Sequence, residues 1–211
     1  GVYRHPRRKV IFLGDLIDRG PRIRLAVTIA RRMVEQGEAY IVMGNHEYNA
    51  LAYTHPGPAG SHKRWLREHT PRHNRIIQDT LEQYRDYTNE WEDTLAWFKT
   101  IPLCLEIDGI RVVHACWDGA LIEELKQRHP DYCMDTQFLI ESTDPSTQAF
   151  RILDRLTEAL TSHYPKVLRY TLAMALQGKA FAPTFGPRHL SSGVMSSFNR
   201  ITCPATLKRA H

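Results

Sequence analysis

The sequence predicts an α/β fold in which parallel strands alternate with helices, and three patterns support this prediction. Two short apolar runs, KVIFL at 9–13 and AYIVM at 39–43, each lead directly into a glycine, as buried parallel strands often do. Hydrophobic residues at helical spacing lie between these two runs. Two further apolar runs, LCLEI at 103–107 and IRVVH at 110–114, flank an Asp-Gly dipeptide and predict an antiparallel hairpin.

The segment between the first two strands predicts one amphipathic helix. Pro21 suits the first turn of that helix, and Gly37 suits its end. Because strand, loop, helix, strand and loop follow one another within residues 9–47, we expect a right-handed parallel crossover. The apolar residues that define the helix recur every three or four positions, at Ile23, Ala26, Val27, Ala30, Met33 and Val34.

Residues 49–100 differ from the segment before them, because they are rich in charged and aromatic side chains. We interpret them as a helical insertion or cap that follows the second strand. Within it, the stretch THPGPAGS at 54–61 predicts a loop, and the stretch from roughly 74 to 98 predicts one helix.

The part of the chain after the hairpin predicts helices at 120–128 and 147–164. Residues 182–211 contain three prolines, many small polar residues and no sustained periodicity, so they predict a loop or disordered tail. The predicted domain therefore covers residues 1–181.

Composition narrows the class of protein. No apolar run approaches the roughly 18–20 residues of a membrane-spanning helix, and no run of basic residues interleaved with aromatic residues indicates a nucleic-acid surface. The four cysteines form no Cys-x-x-Cys pair, which argues against a structural zinc site and favours free thiols in a cytoplasmic protein. The net charge of +5 is compatible with an anionic substrate.

Residues that can bind metal or phosphate follow the predicted strands. Asp15 and Asp18 come after the first strand, and Asn45 and His46 come after the second. His114 ends the second strand of the hairpin and could join them. Because ligands of open α/β sheets bind outside the carboxyl ends of the strands, we expect these side chains to share one crevice.

This set of side chains suits metal-dependent phosphate chemistry. Carboxylate, amide oxygen and imidazole favour Mn, Fe, Zn or Mg over a thiolate metal. Asp15 could bridge two cations about 3.5–4 Å apart that together activate a water near neutral pH. Arg19 could grip phosphate oxygens through both arms of its guanidinium. His46 could protonate the leaving oxygen, and Asp18 could orient it.

The motifs GDLIDRG at 14–20 and GNHE at 44–47 resemble the signature of the calcineurin-like metallophosphoesterases. Within that family the sequence resembles a bacterial form of the serine/threonine protein phosphatase branch, which shares these motifs with symmetrical diadenosine tetraphosphatases. The resemblance is close over residues 9–53 and extends through VVHACWD at 112–118. It implies a four-layer α-β-β-α sandwich with a helical insertion after GNHE.

The resemblance also implies a role for each matching residue. Asp15 would bridge two divalent metals, with manganese expected in vitro, and Asn45 and His114 would ligate the second metal. Arg19 would contact the substrate phosphate, and Glu47 would stand behind it as a support.

The same resemblance makes His46 the general acid, with Asp18 behind it. Trp117, which lies near His114, is a candidate for lining the substrate pocket, although a tryptophan is more often a packing residue.

Two parts of the family pattern are absent from the chain. No Asp-x-His motif occurs, although the family carries one on the strand before GDxxD, and no glycine is followed directly by histidine. Most ligands of the first metal are therefore missing. We infer that the chain is N-terminally truncated and lacks the first strand of the sandwich.

Three functions follow as hypotheses. The first is a protein phosphatase-like phosphomonoesterase that acts on phosphoproteins or small phosphoesters. The second is a symmetrical dinucleoside polyphosphate hydrolase. The third is a non-catalytic chain whose two-metal centre is incomplete.

Overall fold

The structure, a computed structural model, describes residues 2–158. The described part of the chain contains four strands and seven α-helices, followed by a π-helical turn at Asp154–Glu158. In chain order the elements are β1 (Val10–Phe12), α1 (Ile23–Glu35), β2 (Ala39–Ile41), α2 (Asn45–Thr54), α3 (Pro71–Tyr84), α4 (Thr88–Phe98), β3 (Cys104–Ile107), β4 (Ile110–Val113), α5 (Gly119–Arg128), α6 (Thr136–Glu141) and α7 (Gln148–Leu153).

The predicted crossover is present. Strands β1 and β2 pair in parallel, with Val10 opposite Ala39, and α1 connects them. Helix α1 buries Ile23, Val27, Ala30 and Met33 of the predicted apolar stripe, whereas Ala26 is exposed and Val34 is half-buried. Gly37 follows the end of the helix with a φ of +73° that favours glycine. The prediction that Pro21 lies in the first turn is wrong, because Arg22 has a non-helical φ of −139° and precedes the helix.

The prediction of a loop for GNHE is also wrong, because α2 begins within the motif at Asn45. Gly44 is the N-cap residue of this helix, and its backbone N–H donates to the carboxylate of Glu47 at 3.0 Å. An acidic side chain three residues after the cap stabilises the first turn of a helix, which explains why the helix starts this early.

The prediction of one helix over roughly 74–98 is wrong as well, because two helices, α3 and α4, occupy this stretch. The first begins earlier than predicted, since Thr70 caps it by accepting a hydrogen bond from the backbone of His73 and Pro71 fills its first position. Tyr84, Trp97 and Phe98 from these helices join the same core cluster as Ile41 of β2.

The Asp-Gly hairpin is confirmed. Strands β3 and β4 are antiparallel, with Ile107 opposite Ile110. The two turn residues, Asp108 and Gly109, have φ values of +51° and +78°, as a tight type I′ turn requires. The hairpin places His114 directly after β4, as predicted.

The chain after the hairpin contains α5 as predicted, and α6, which the sequence did not predict. The predicted helix over 147–164 is present as α7 and the following π-helical turn, and residues 159–164 lie outside the described residues, as does the predicted tail at 182–211. The strands that are described form two two-stranded sheets, so the four-layer sandwich and the missing first strand stay predictions.

Two composition-based predictions can also be compared with the structure. No helix among residues 2–158 is long and apolar enough to cross a membrane. Cys104 carries a free thiol, but Cys133 is disulfide-bonded, so the prediction that all four thiols are free is wrong. Spacing along the chain does not show which sulfur atoms the fold brings together. Cys203 lies outside the described residues.

Candidate active site

The loop after β1 and the start of α2 approach each other closely at two glycines. A Cβ atom on Gly14 would lie 2.2 Å from the backbone nitrogen of Gly44, and Gly14 has a φ of +81°. A Cβ atom on Gly44 would lie 2.4 Å from a carboxylate oxygen of Asp15. Only glycine fits either position, and the two motifs that the sequence singled out therefore form one site.

Glu47 joins the two loops through a fully buried carboxylate. Its Oε2 accepts hydrogen bonds from the backbone N–H groups of Asp15 at 2.8 Å and Gly44 at 3.0 Å, and its Oε1 accepts one from Leu16 at 2.7 Å. Burial raises the pKa of Glu47, and the backbone hydrogen bonds from Asp15 and Leu16 oppose that rise. Glu47 thus holds the backbone of both motifs, and its support of Arg19 stays a prediction.

His46 and Asp18 form a hydrogen-bonded pair. The distance between His46 Nδ1 and Asp18 Oδ2 is 2.7 Å, and both side chains are largely buried, with 13% and 2% of their surface exposed. Because an ionised carboxylate only accepts hydrogen bonds, Nδ1 is the donor. This bond raises the pKa of His46 against the effect of burial, and the nearby charge of Asp15 adds to the rise.

Asp18 is itself held by Thr80 on α3. The Thr80 hydroxyl donates to Asp18 Oδ1 at 2.7 Å, and it accepts a hydrogen bond from the Asp18 backbone N–H at 2.8 Å. Asp15 and Asp18 have φ values of +58° and +70°, a region that non-glycine residues rarely adopt. Such strained residues persist where surrounding contacts hold them, and they are often found at functional sites.

Asp15 and His114 come together from different parts of the chain. His114 Nε2 lies 3.5 Å from Asp15 Oδ2, and the other ring nitrogen, Nδ1, is hydrogen-bonded to the carbonyl oxygen of Leu13. A carbonyl only accepts, so Nδ1 carries a proton, and in the neutral ring Nε2 has its lone pair. The backbone N–H of His46 also donates to Asp15 Oδ1, at 3.3 Å.

This pair fits a divalent metal. Histidine ligands commonly donate their second ring N–H to a backbone carbonyl, which is the arrangement that His114 shows. Asn45 lies on the first turn of α2, and its side chain has no hydrogen-bond partner among residues 2–158. The described residues contain no group of three or more His, Cys, Asp and Glu placed to hold a metal ion. The donors available are therefore one carboxylate, one imidazole and one carboxamide.

The two predicted substrate-contacting residues are not part of this network. Arg19 is exposed on the loop after Asp18 and makes no hydrogen bond or ion pair to another described residue. Trp117 is half-buried against the core, and the guanidinium carbon of Arg111 lies 5.4 Å from the centre of its ring. The structure thus leaves Arg19 accessible to a ligand and gives Trp117 a packing contact.

Sequence reasoning missed Thr80, which is fully buried and is hydrogen-bonded to Asp18 of the His46–Asp18 pair. Its signal is weak but present: Thr80 lies at helical spacing between Ile77 and Tyr84, both of which are buried. A hydroxyl on an apolar helix stripe needs a buried partner, although the sequence does not say which residue that partner is.

Comparison with known proteins gives a matching family and distant curated relatives. The profile of the calcineurin-like phosphoesterase family matches residues 3–186. A symmetrical bis(5′-nucleosyl)-tetraphosphatase from Janthinobacterium sp. is 27% identical over 110 residues, which cover 52% of this chain and 34% of that protein. The asymmetrical bis(5′-nucleosyl)-tetraphosphatase PrpE from Oceanobacillus iheyensis is 26% identical over 121 residues, which cover 54% of this chain and 44% of PrpE.

These matches span less than half the length of either curated relative. The family profile, in contrast, covers nearly the whole of this chain and includes both glycine-led motifs. The family that the motifs predicted is confirmed. The chain belongs to the calcineurin-like phosphoesterase family.

Proposed function

We propose that this chain is a metal-dependent phosphoester hydrolase in which His46 protonates the leaving oxygen. The observation that carries the proposal is the buried 2.7 Å bond between His46 and Asp18, placed beside the Asp15–His114 pair. A proton donor next to candidate metal ligands, in a chain of a phosphoesterase family, is the arrangement that phosphoester hydrolysis requires.

Asp18 prepares His46 for this role. By accepting a hydrogen bond from Nδ1–H, Asp18 fixes the orientation of the ring and leaves Nε2 as the nitrogen that gives up a proton. The hydrogen bond to Asp18 raises the pKa of His46, which stabilises the protonated ring relative to a histidine without such a partner. General acids of this kind contribute about 10²- to 10⁴-fold to the rate.

Asp15, His114 and Asn45 are the residues that would hold a divalent metal, with manganese the first ion to test. When bound, the metal supplies the Lewis acidity and the activated water that hydrolysis needs. Glu47 keeps Asp15 in place through the backbone, and Arg19, on the exposed loop, can grip a phosphate oxygen as the substrate arrives. A second metal and the four-layer sandwich belong to the same proposal.

Dinucleoside polyphosphates are the substrate class that the relatives favour. Both curated relatives are named as bis(5′-nucleosyl)-tetraphosphatases, one symmetrical and one asymmetrical. The protein phosphatase-like activity that the motifs suggested first is the second candidate, since a proton donor such as His46 also suits the alkoxide leaving group of a phosphoserine.

Parallel assays with Mn²⁺ separate these activities. We expect the 211-residue chain to cleave diadenosine tetraphosphate faster than a phosphoserine peptide or a small phosphomonoester. ADP as the only nucleotide product would indicate cleavage at the centre of the phosphate chain, and AMP with ATP would indicate cleavage at one side. Faster cleavage of the phosphopeptide would support the second candidate.

Metal analysis of the same sample tests the non-catalytic hypothesis. Bound Mn²⁺ with turnover excludes it. A chain that binds no Mn²⁺ and hydrolyses none of the three substrates would contradict the proposed function and support a non-catalytic role.

A further inference from the structure

Two side chains of helix α3 form hydrogen bonds with the loop that carries Arg19. The loop runs from Asp18 to Arg22, and α1 begins directly after it at Ile23. The two residues of α3 that make these hydrogen bonds are Thr80 and Gln83. Residues three apart lie on neighbouring positions of one helix face, so a single helix face contacts both ends of the loop. The contacts join residues about sixty positions apart in the chain, with separations of 60 to 63 residues.

The hydroxyl of Thr80 forms two hydrogen bonds with Asp18. Thr80 Oγ1 accepts from the backbone N–H of Asp18 at 2.8 Å and donates to Asp18 Oδ1 at 2.7 Å. Both residues are buried, with 0% and 6% of their surface exposed. This pairing fixes the backbone and the carboxylate of Asp18 together, while Oδ2 remains engaged with His46.

The carboxamide of Gln83 forms two hydrogen bonds, one with Ile23 and one with Gly20. Gln83 Oε1 accepts from the backbone N–H of Ile23 at 2.7 Å, and Gln83 Nε2 donates to the carbonyl oxygen of Gly20 at 3.1 Å. The N–H of Ile23 is at the start of α1, where no carbonyl of the helix itself can accept it. Gln83 therefore satisfies a helix end and holds the loop in one contact.

The loop needs support from outside, because its backbone is strained at Asp18, a non-glycine residue with a positive φ. Asp18 and Gly20 have φ values of +70° and +104° on either side of Arg19. The Arg19 side chain makes no hydrogen bond or ion pair to a described residue, so its position depends on the backbone that α3 holds.

We propose that Thr80 and Gln83 are positioning residues, which set the orientation of Asp18 and the placement of Arg19 for phosphoester hydrolysis. This inference rests on the proposed function. The segment that the sequence marked as an insertion or cap would then support the catalytic groups directly. Thr80 acts on the proton donor through Asp18, and Gln83 acts on phosphate binding through the Arg19 loop.

The first test compares Thr80→Val, Thr80→Ser and Thr94→Val. Valine keeps the shape of threonine without its hydroxyl, and serine keeps the hydroxyl. Thr94 is the matched control, because it is also buried, at 2% exposed, and its hydroxyl contacts only Tyr84. We expect Thr80→Val to lower kcat about 10- to 100-fold with KM nearly unchanged. Thr80→Ser should restore most of kcat, and Thr94→Val should leave it unchanged.

The second test compares Gln83→Met with Gln78→Met. Gln78 is an exposed residue on the same helix, and its carboxamide donates to Glu82 instead of the loop. We expect Gln83→Met to raise KM for the substrate about three- to tenfold with a smaller change in kcat, since displaced Arg19 weakens phosphate binding. Gln78→Met should match the wild type. Equal losses from both variants would indicate a general destabilisation and overturn the inference.

Amide hydrogen exchange tests the hydrogen bonds of Thr80 and Gln83 independently of catalysis. In the full chain, the amide of Asp18 should exchange about tenfold faster in Thr80→Val, and that of Ile23 about tenfold faster in Gln83→Met. Unchanged exchange at these amides would overturn the inference even if the wild type is active. If exchange changes as expected but the wild type has no turnover, the proposed function fails, and the hydrogen bonds of Thr80 and Gln83 only stabilise the loop.

Discussion

Replacing Glu47 with glutamine is a sharp test of how the site is held together. The substitution Glu47→Gln keeps the size and shape of the side chain and exchanges one carboxylate oxygen for an NH₂ group. In the structure both oxygens accept backbone hydrogen bonds, and the side chain is fully buried. The NH₂ group must therefore face at least one N–H group of the same polarity.

The cost can be worked out from the geometry. If the glutamine oxygen takes the Oε2 position, it keeps the hydrogen bonds from Asp15 and Gly44. The NH₂ group then faces the N–H of Leu16, which in the wild type donates to Oε1 at 2.7 Å. Losing a hydrogen bond to a charged acceptor costs about 1.5–3 kcal/mol, and the orphaned N–H adds about 1–3 kcal/mol. Because burial raises the pKa of Glu47, removal of its charge returns part of this energy. We expect a net loss of about 2–3 kcal/mol.

Urea unfolding of the metal-free 211-residue chain measures this loss. Glu92→Gln is the control, because Glu92 is exposed and the substitution changes the net charge by the same amount. The control should stay within about 0.5 kcal/mol of the wild type. If Glu47→Gln also lies within that range, Glu47 does not hold the two loops together, and our reading of the site is wrong.

Three further predictions follow from other parts of the fold. Gly14→Ala should lower the free energy of unfolding by about 3–5 kcal/mol. Gly37 has a similar φ but open space around it, so Gly37→Ala should lower this free energy by only about 1–2 kcal/mol. Equal losses in urea melts would show that crowding at Gly14 is unimportant. Burial raises the pKa of Cys104 to about 12 from an ordinary value of 9.0. The buried neutral thiol therefore contributes its full stability below pH 9.0, and this contribution is lost as the pH rises to about 12. Iodoacetamide at about pH 8.5 should therefore spare Cys104 in the folded chain and modify it in urea, and mass spectrometry that finds it modified without urea would contradict its burial. Asp15→Asn should abolish Mn²⁺ binding measured by calorimetry, and unchanged affinity would remove Asp15 from the proposed ligands.

The parts of the fold that depend on neighbouring residues could be predicted from the sequence. The crossover over residues 9–47 follows from apolar runs, glycines and helical spacing, which are all local signals. The hairpin follows from Asp108 and Gly109, because few other dipeptides adopt two successive positive φ values easily.

The errors arose where contacts between distant residues decide the structure. Glu47 stabilises an early start of α2 and at the same time binds backbone groups 31 and 32 positions away. The break between α3 and α4 has no glycine or proline to mark it, since Arg85, Asp86 and Tyr87 connect them. Packing of the flanking aromatic residues into the core, which the sequence cannot show, accompanies the break.

The grouping of the candidate site residues was predictable from the sequence, whereas the residues that support them were not. Motif spacing gathered Asp15, Asp18, His46 and His114 into one crevice, and the structure brings them together as two contacting pairs. Thr80 lies 62 residues from Asp18, and no local pattern links a threonine on one helix to an aspartate on a distant loop.

The most direct test of the proposed mechanism is the dependence of the His46→Asn variant on the leaving group. With Mn²⁺ bound, kcat should be compared between an aryl phosphate that has an acidic leaving group and an alkyl phosphate that has a basic one. If His46 protonates the leaving oxygen, the variant should lose about 10²- to 10⁴-fold on the alkyl ester and far less on the aryl ester. Equal losses on both esters, or loss of Mn²⁺ from the variant, would contradict the assignment of His46 as the proton donor.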